Sequence, residues 1–176
     1  IGSINIFSQR EADYWYFGNK AGLHFNKGKI DILNDSKMNT IAGSASISDI
    51  KGNLLFFTNG KTVWNKNHQI IENGNDLIGE PDNSQTSIII PKPNSTTNFY
   101  IFTPRQNESN NPFIFPGIYY SEIEISNTFP NGKVIIKNVR LENSIAQQIT
   151  AVHHKNGKDI WVITHGSKTY KGTNDI

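Results

Sequence analysis

The sequence predicts an all-β protein, and three observations support this prediction. First, the 176 residues include 26 isoleucines against 6 leucines, and β-branched isoleucine favours strands where leucine favours helices. Second, the 23 asparagines and 14 glycines suit tight turns that need a positive φ angle. Third, short apolar segments recur between these turn residues, and no window of about 11 residues has a convincing helical period.

Thirteen segments of three to nine residues qualify as strands, because each is bounded by Gly, Asn, Asp, Pro or Ser. In chain order they are Tyr14–Phe17, Gly22–Phe25, Lys29–Leu33, Ala42–Ser48, Leu54–Thr58, Thr62–Trp64, Gln69–Glu72, Thr86–Pro91, Asn98–Thr103, Ile118–Ile125, Lys133–Leu141, Gln148–His154 and Ile160–Thr164. The best helical candidate is Leu141–Gln148, which has room for one or two turns at most.

Three segments share one pattern: an apolar strand, a polar turn, and four apolar or aromatic residues closed by threonine. They cover residues 44–58, 87–103 and 150–164. Their closing threonines are 45 and 61 residues apart, and a four-stranded propeller blade takes about 40 to 50 residues. The longer interval contains the polar stretch Arg105–Pro116, which we interpret as an inserted surface loop.

These repeats predict a β-propeller, because four consecutive apolar residues suit a strand that is covered on both faces. Three unrelated hairpins in a β-sandwich are the alternative. About three to four blades would be visible, whereas rings usually need about four to eight, so we expect the front part of a larger propeller. We predict a lead-in over residues 1–13 and a partial propeller over 14–176, with blade hairpins near 42–72, 86–125 and 148–176.

Composition excludes several classes of protein. The formal net charge is only +2 and the lysines form no basic stripe, so nucleic acid is not an expected partner. The chain has no cysteine, which excludes a disulfide scaffold and a cysteine nucleophile. The sequence has no stretch of 18 consecutive apolar residues, so it predicts no membrane span. The sequence begins at Ile1, and we expect that any signal peptide has been removed.

Several segments resemble large surface proteins of gliding and related Bacteroidetes bacteria. The similarity begins at YWYFGNKAGLHFN (14–26) and ISDIKGNLLFFTNGKTVWNKNHQ (47–69). It continues in order through SIIIPKP (87–93), YIFT (100–103), GIYYS (117–121) and TAVHHKNGKDIWVITHG (150–166). The resemblance implies an N-terminal β-propeller, export by the type IX secretion system and display or release at the cell surface. It implies no catalytic residues.

The main binding candidate is the segment that starts at Trp64 and continues through Asn65, Lys66 and Asn67 to His68. An aromatic ring with amide and imidazole neighbours at a strand end suits stacking of a sugar ring or packing of a partner. The alternative is that Trp64 packs between blades and the other four residues form a turn. Arg105 is a further candidate for ligand or partner binding.

Other polar groups fit structural interpretations better. His153 and His154 would point to opposite faces of a strand and cannot easily share a metal ion. Glu122 and Glu124 would share one face of a strand, and we expect that face to be solvated. The clusters Asn34-Asp35, Asn73–Asp76 and Asp82-Asn83 could supply oxygen ligands for calcium. Turn formation is the better account of these clusters and of the Asp49–Gly52 segment. We therefore predict no catalytic residue, no metal site and no cofactor.

These observations lead to two hypotheses of function. The first is a non-enzymatic binding or adhesion module of a secreted or surface-displayed protein, a type IX secretion substrate linked to gliding or attachment. Its expected partners are a cell-surface protein or polysaccharide and, during export, components of the secretion machinery. The alternative is a carbohydrate-active propeller, a glycoside hydrolase or lectin-like protein, whose remaining site residues lie beyond residue 176.

Overall fold

The structure is a computed structural model that describes residues 10–105, 114–143 and 145–166. For residues 143 and 145–147 it describes only the backbone. The described residues contain twelve strands and a single 3-10 turn, Arg10–Ala12, but no α-helix. The predicted all-β class is therefore confirmed.

The strands form four antiparallel sheets that follow one another along the chain, and none of them closes on itself. Sheet 1 contains β1 (Tyr14–Phe17), β2 (Ala21–Asn26) and β3 (Lys29–Leu33), and sheet 2 contains β4 (Ala45–Ser48), β5 (Leu54–Thr58) and β6 (Val63–Asn65). Sheet 3 contains β7 (Ile88–Pro91), β8 (Asn98–Arg105), β9 (Gly117–Glu124) and β10 (Lys133–Asn143), and sheet 4 contains β11 (Ile145–His153) and β12 (Ile160–Gly166). Each sheet is a meander, because every strand pairs with its neighbours in sequence.

Twelve of the thirteen predicted strands correspond to strands of the structure. The three repeated segments form the hairpins β4–β5, β7–β8 and β11–β12, as their pattern predicts. Along the chain, sheet 1 precedes the three predicted blade hairpins. Residues 1–9 of the predicted lead-in, 106–113 of the predicted loop and 167–176 at the end of the last predicted hairpin lie outside the described residues.

One predicted strand is wrong, and the best helical candidate does not form a helix. Segment 69–72 is not a strand, because the chain turns at His68 (φ 58°) and makes only isolated bridges at Ile70 and Glu72. The best helical candidate, residues 141–148, is not a helix and instead contains the end of β10 and the start of β11. Glu142 in β10 pairs with Ile118 in β9, and this pairing overrides a weak local preference.

Neighbouring sheets share hydrophobic clusters in chain order. Tyr16 of sheet 1 packs with Phe57 of sheet 2, while Phe56 on the opposite face of sheet 2 meets Phe99 of sheet 3 at 5.5 Å between ring centroids. Ile118 of sheet 3 packs with Ile149 of sheet 4. Sheets 2 and 3 are thus covered on both faces, which explains the apolar runs in their central strands.

The outward faces of the two terminal sheets are apolar and exposed. The pairing register of sheet 1 places seven apolar residues on one face: Trp15, Phe17, Ala21, Leu23, Phe25, Ile30 and Ile32. Ile30 and Ile32 are 61% and 78% exposed. On sheet 4 the register places Val152, Trp161 and Ile163 on one face, and all three are exposed. Both ends of the row of sheets therefore present surfaces typical of an interface.

Candidate functional site

Two open clefts contain three of the four candidate residues, and strand β5 runs from one cleft to the other. The first cleft, about 440 Å³ in volume, lies at the start of β5 and is lined by Leu54 and by residues 65–68. The second cleft, about 560 Å³, lies beyond the end of β5 and is lined by Lys61 and Arg105. The structure therefore brings Asn65 and His68 together at the start of β5. It places Arg105, the last residue of β8 in sheet 3, in the cleft beyond the other end of β5.

Trp64 lines neither cleft. It is only 8% exposed, and its ring stacks on Phe57 with 5.6 Å between centroids and 14° between planes. Trp64 pairs with Phe57 across β5 and β6, so both rings lie on the face of sheet 2 that packs on sheet 1. The prediction of a sugar-stacking platform at Trp64 is therefore wrong, because packing between sheets uses this ring.

Asn65 fixes the wall of the first cleft. Its side chain is buried, and its Oδ1 accepts hydrogen bonds from the backbone N–H groups of Asn67 (2.9 Å) and Gln69 (3.1 Å). Its Nδ2 donates to the carbonyl oxygen of Asn131 at 3.3 Å. These bonds hold the turn that follows β6 and tie it to the turn between β9 and β10. Asn65 is thus a structural residue that positions its neighbours, and a direct role in binding stays a prediction.

His68 belongs to a polar network that joins sheet 1 to sheet 2. Its Nε2 lies 3.4 Å from Oδ2 of Asp35, and the hydroxyl of Tyr16 donates to Oδ1 of Asp35 at 3.2 Å. The imidazole packs on Tyr16 and Phe57, with centroid distances of 5.2 and 5.4 Å. Its Nδ1 is buried without a hydrogen-bond partner, which is unusual for a buried polar atom.

Burial, together with the charge and hydrogen bond of Asp35, raises the pKa of Tyr16 well above its ordinary value. The phenol therefore stays protonated at neutral pH and keeps donating to the Asp35 carboxylate. The carboxylate itself remains 58% exposed in the cleft, whereas the His68 side chain is 14% exposed. An exposed acceptor is thus held in place by two largely buried groups.

A second carboxylate in the first cleft, that of Asp49, has a structural role. Its Oδ1 accepts from the backbone N–H groups of Lys51 (2.8 Å) and Asn53 (2.9 Å), and its Oδ2 accepts from Asn53 Nδ2 at 2.9 Å. Burial opposes ionisation, but these hydrogen bonds outweigh it and lower the pKa of Asp49. The carboxylate closes the β4–β5 turn, in agreement with the structural interpretation of this segment.

Arg105 lies in the second cleft at the end of β8. Its Nη2 is 3.6 Å from Oε1 of Glu80, while its Nε is buried without a hydrogen-bond partner. The Glu80 loop approaches the β5–β6 turn so closely that a Cβ atom on Gly79 would clash with the carbonyl oxygen of Gly60. Because Gly60 and Gly79 have no Cβ atoms, the two loops that form this cleft can pack backbone against backbone. The proposed binding role of Arg105 stays a prediction.

Glu122 and His154, two other residues that the sequence singled out, have structural partners. Glu122 is 3% exposed, and its Oε1 accepts from Lys92 Nζ (2.8 Å) and Asn98 Nδ2 (2.7 Å). The expectation that Glu122 lies on a solvated face is wrong, because Glu122 lies on the inner strand β9 of sheet 3 and is buried beside Lys92. His154 Nδ1 accepts from the backbone N–H of Asn156 at 3.2 Å. No cluster of three or more metal-ligating side chains occurs within the described residues.

Sequence reasoning missed Tyr16 as a site residue and treated Asp35 only as a turn or calcium candidate. Asp35 follows β3 of sheet 1, whereas His68 follows β6 of sheet 2. No spacing rule connects these two positions, so the sequence carries no signal for their contact. The packing of sheet 1 on sheet 2, which includes the stacking of Tyr16 on Phe57, brings the two turns together.

Comparison of the chain with protein-family models, with curated proteins and with solved structures finds no match. The resemblance to Bacteroidetes surface proteins therefore stays a prediction. Among residues 10–105, 114–143 and 145–166, no helix has the length and apolar character of a membrane span.

Proposed function

We propose that the chain forms part of a β-propeller. Consecutive meanders whose sheets pack on one another in chain order are the arrangement of propeller blades. A sandwich has two sheets, each with one inner face, whereas sheets 2 and 3 are covered on both faces. Further sheets would cover the exposed apolar faces at the two ends. A structure of a longer chain in which both faces remain open to solvent would contradict this proposal.

The proposed function is a non-enzymatic binding module of a secreted or cell-surface protein. The observation that supports it best is the first cleft, which is open, mixed in polarity, and built from turns of three consecutive sheets. Binding sites commonly lie on loops that a rigid β scaffold positions. A cell-surface protein or polysaccharide is the proposed ligand, and the resemblance to gliding-associated proteins supports export by type IX secretion and display outside the cell.

The alternative function is a carbohydrate-active enzyme, which would need two carboxylates on either side of a glycosidic bond. Asp35 and Asp49 both line the first cleft, and this observation favours the alternative. However, Asp49 already accepts three hydrogen bonds from its own turn. A carboxylate that its turn needs in ionised form is poorly suited to act as a general acid, so binding is the better account.

Binding without turnover distinguishes the two functions. The purified chain is incubated with intact bacterial cells and with isolated surface polysaccharides, and both retention and release of reducing sugar are measured. We expect retention on the cells or on a polysaccharide, and no release of sugar. Turnover that disappears in Asp35→Asn would show that the protein is an enzyme. Failure to bind cells, surface proteins and polysaccharides would contradict the binding function.

A further inference from the structure

We infer that the first cleft binds a neutral saccharide and that Asp35 accepts hydrogen bonds from its hydroxyl groups. This inference rests on the proposed binding function and adds the chemical class of the ligand and the residue that recognises it. It follows from three features of the cleft: a pre-positioned carboxylate, a lining of amides and apolar groups, and an unfavourable charge for acidic ligands.

The Asp35 carboxylate is held in one orientation before any ligand arrives. Tyr16 donates to one oxygen at 3.2 Å, and His68 Nε2 lies 3.4 Å from the other. Each carboxylate oxygen can accept more than one hydrogen bond, and Asp35 remains 58% exposed. Because a fixed acceptor loses little conformational entropy on binding, it recognises hydroxyl groups better than a mobile surface aspartate does.

The rest of the lining suits the two kinds of surface on a sugar ring. Asn67 and Asn131 are exposed at the cleft, and their amides can both donate and accept hydrogen bonds. Leu54, Leu55 and Pro130 supply apolar contacts for the C–H faces of the ring. Binding sites of this mixed type use apolar contacts for affinity and a few placed polar groups for orientation.

The charge of the cleft disfavours an acidic saccharide. Two carboxylates, Asp35 and Asp49, line it, and the one lysine among its lining residues is the exposed Lys66. A uronic acid or sialic acid placed here would meet like charge, which weakens binding. The described arginines do not line this cleft, so it offers no bidentate partner for a ligand carboxylate.

The backbone and the ring of His68 give a further reason to regard this wall as functional. It is a non-glycine residue at φ 58°, and it also leaves Nδ1 buried without a partner. Both features cost stability, and such costs concentrate at functional sites. They are tolerated here because the turn held by Asn65 and the packing on Phe57 place His68 where its Nε2 reaches Asp35.

The test measures binding of defined hexasaccharides by isothermal titration calorimetry to the wild-type chain and two variants. The neutral probes are cellohexaose, xylohexaose, mannohexaose, laminarihexaose and chitohexaose; the acidic probe is hexagalacturonic acid, and the cationic probe is glucosamine hexamer. Asp35→Asn is the test variant. Asp31→Asn is its matched control, because Asp31 is 53% exposed, lies 3.5 Å from His24 Nδ1 and is outside the cleft.

We expect at least one neutral hexamer to bind and the acidic hexamer to bind at least tenfold more weakly. Asp35→Asn should lose about ten- to a hundredfold in affinity, as expected for hydrogen bonds to a charged group, and Asp31→Asn less than twofold. Tighter binding of the acidic or the cationic hexamer, or equal losses in the two variants, would overturn the inference but leave a binding function intact. Binding to cells without binding to any hexamer would also overturn it, whereas failure to bind cells and hexamers alike would overturn the proposed function itself.

Discussion

Replacing Phe57 by alanine removes the ring that joins sheet 1, sheet 2 and the wall of the first cleft. Phe57 has no exposed surface. Its ring centroid lies 4.6 Å from that of Tyr16, 5.6 Å from Trp64 and 5.4 Å from His68. Alanine would leave a cavity inside the cluster that joins the two sheets, and the close-packed, rigid rings around it could not easily close over it.

The expected loss follows from the burial. A fully buried phenylalanine replaced by alanine costs about 3–5 kcal/mol of unfolding free energy. For a chain of this size each kcal/mol corresponds to about 2–4 °C in melting temperature. The variant should therefore melt about 6–20 °C below the wild type. Because the same ring supports Tyr16 and His68, its saccharide affinity should also fall.

Circular dichroism during heating measures this change, and Phe17→Ala is the matched control. Phe17 lies on the outward face of sheet 1 and is 39% exposed, so its replacement should lower the melting temperature by only a small part of the effect at Phe57. Equal shifts in the two variants, or a shift below about 2 °C for Phe57→Ala, would refute the packing of sheet 1 on sheet 2.

Two further predictions concern the second cleft and the first. Gly79→Ala should lower the unfolding free energy by about 1–3 kcal/mol, because the new Cβ atom meets the backbone oxygen of Gly60. Urea titration measures this loss. An unchanged urea midpoint would mean that the two loops are not in contact. Tyr16 should ionise at higher pH than an ordinary tyrosine, because burial and Asp35 raise its pKa. Its contribution to stability is therefore complete below about pH 10 and is lost as the pH rises toward the folded-state pKa. Ultraviolet titration of the phenolates should show a late phase that is smaller in Tyr16→Phe, because Tyr14, whose pKa is also raised by burial, still contributes to it. An undiminished late phase in that variant would contradict the assignment.

Strand positions were largely predictable from the sequence, because strand formation and hairpin pairing depend on nearby residues. The alternation of apolar runs with Gly, Asn and Pro located twelve strands and three hairpins. The error at 69–72 has a local cause, because the Asn65 side chain holds a turn there instead of a strand. The helical candidate at 141–148 gives way to a tertiary effect, the pairing with β9 that extends β10.

The candidate site was predictable only in part. Sequence pattern selected the segment from Trp64 to His68, and Asn65 and His68 do line a cleft. The sequence pattern could not show that Trp64 packs inward while His68 faces Asp35. Neighbouring residues in a strand point to opposite faces, and which face meets another sheet depends on the remainder of the fold.

The sequence by itself determined the β class, the strand order and the hairpin repeat, because each follows from the side-chain period and turn residues of a short segment. Tertiary structure alone decided which aromatic rings became core and which carboxylate became an exposed, fixed acceptor. Asp35, Tyr16 and His68 come from different strands and loops. Their contact exists because buried rings of sheets 1 and 2 pack together, which places the turn after β3 next to the turn after β6.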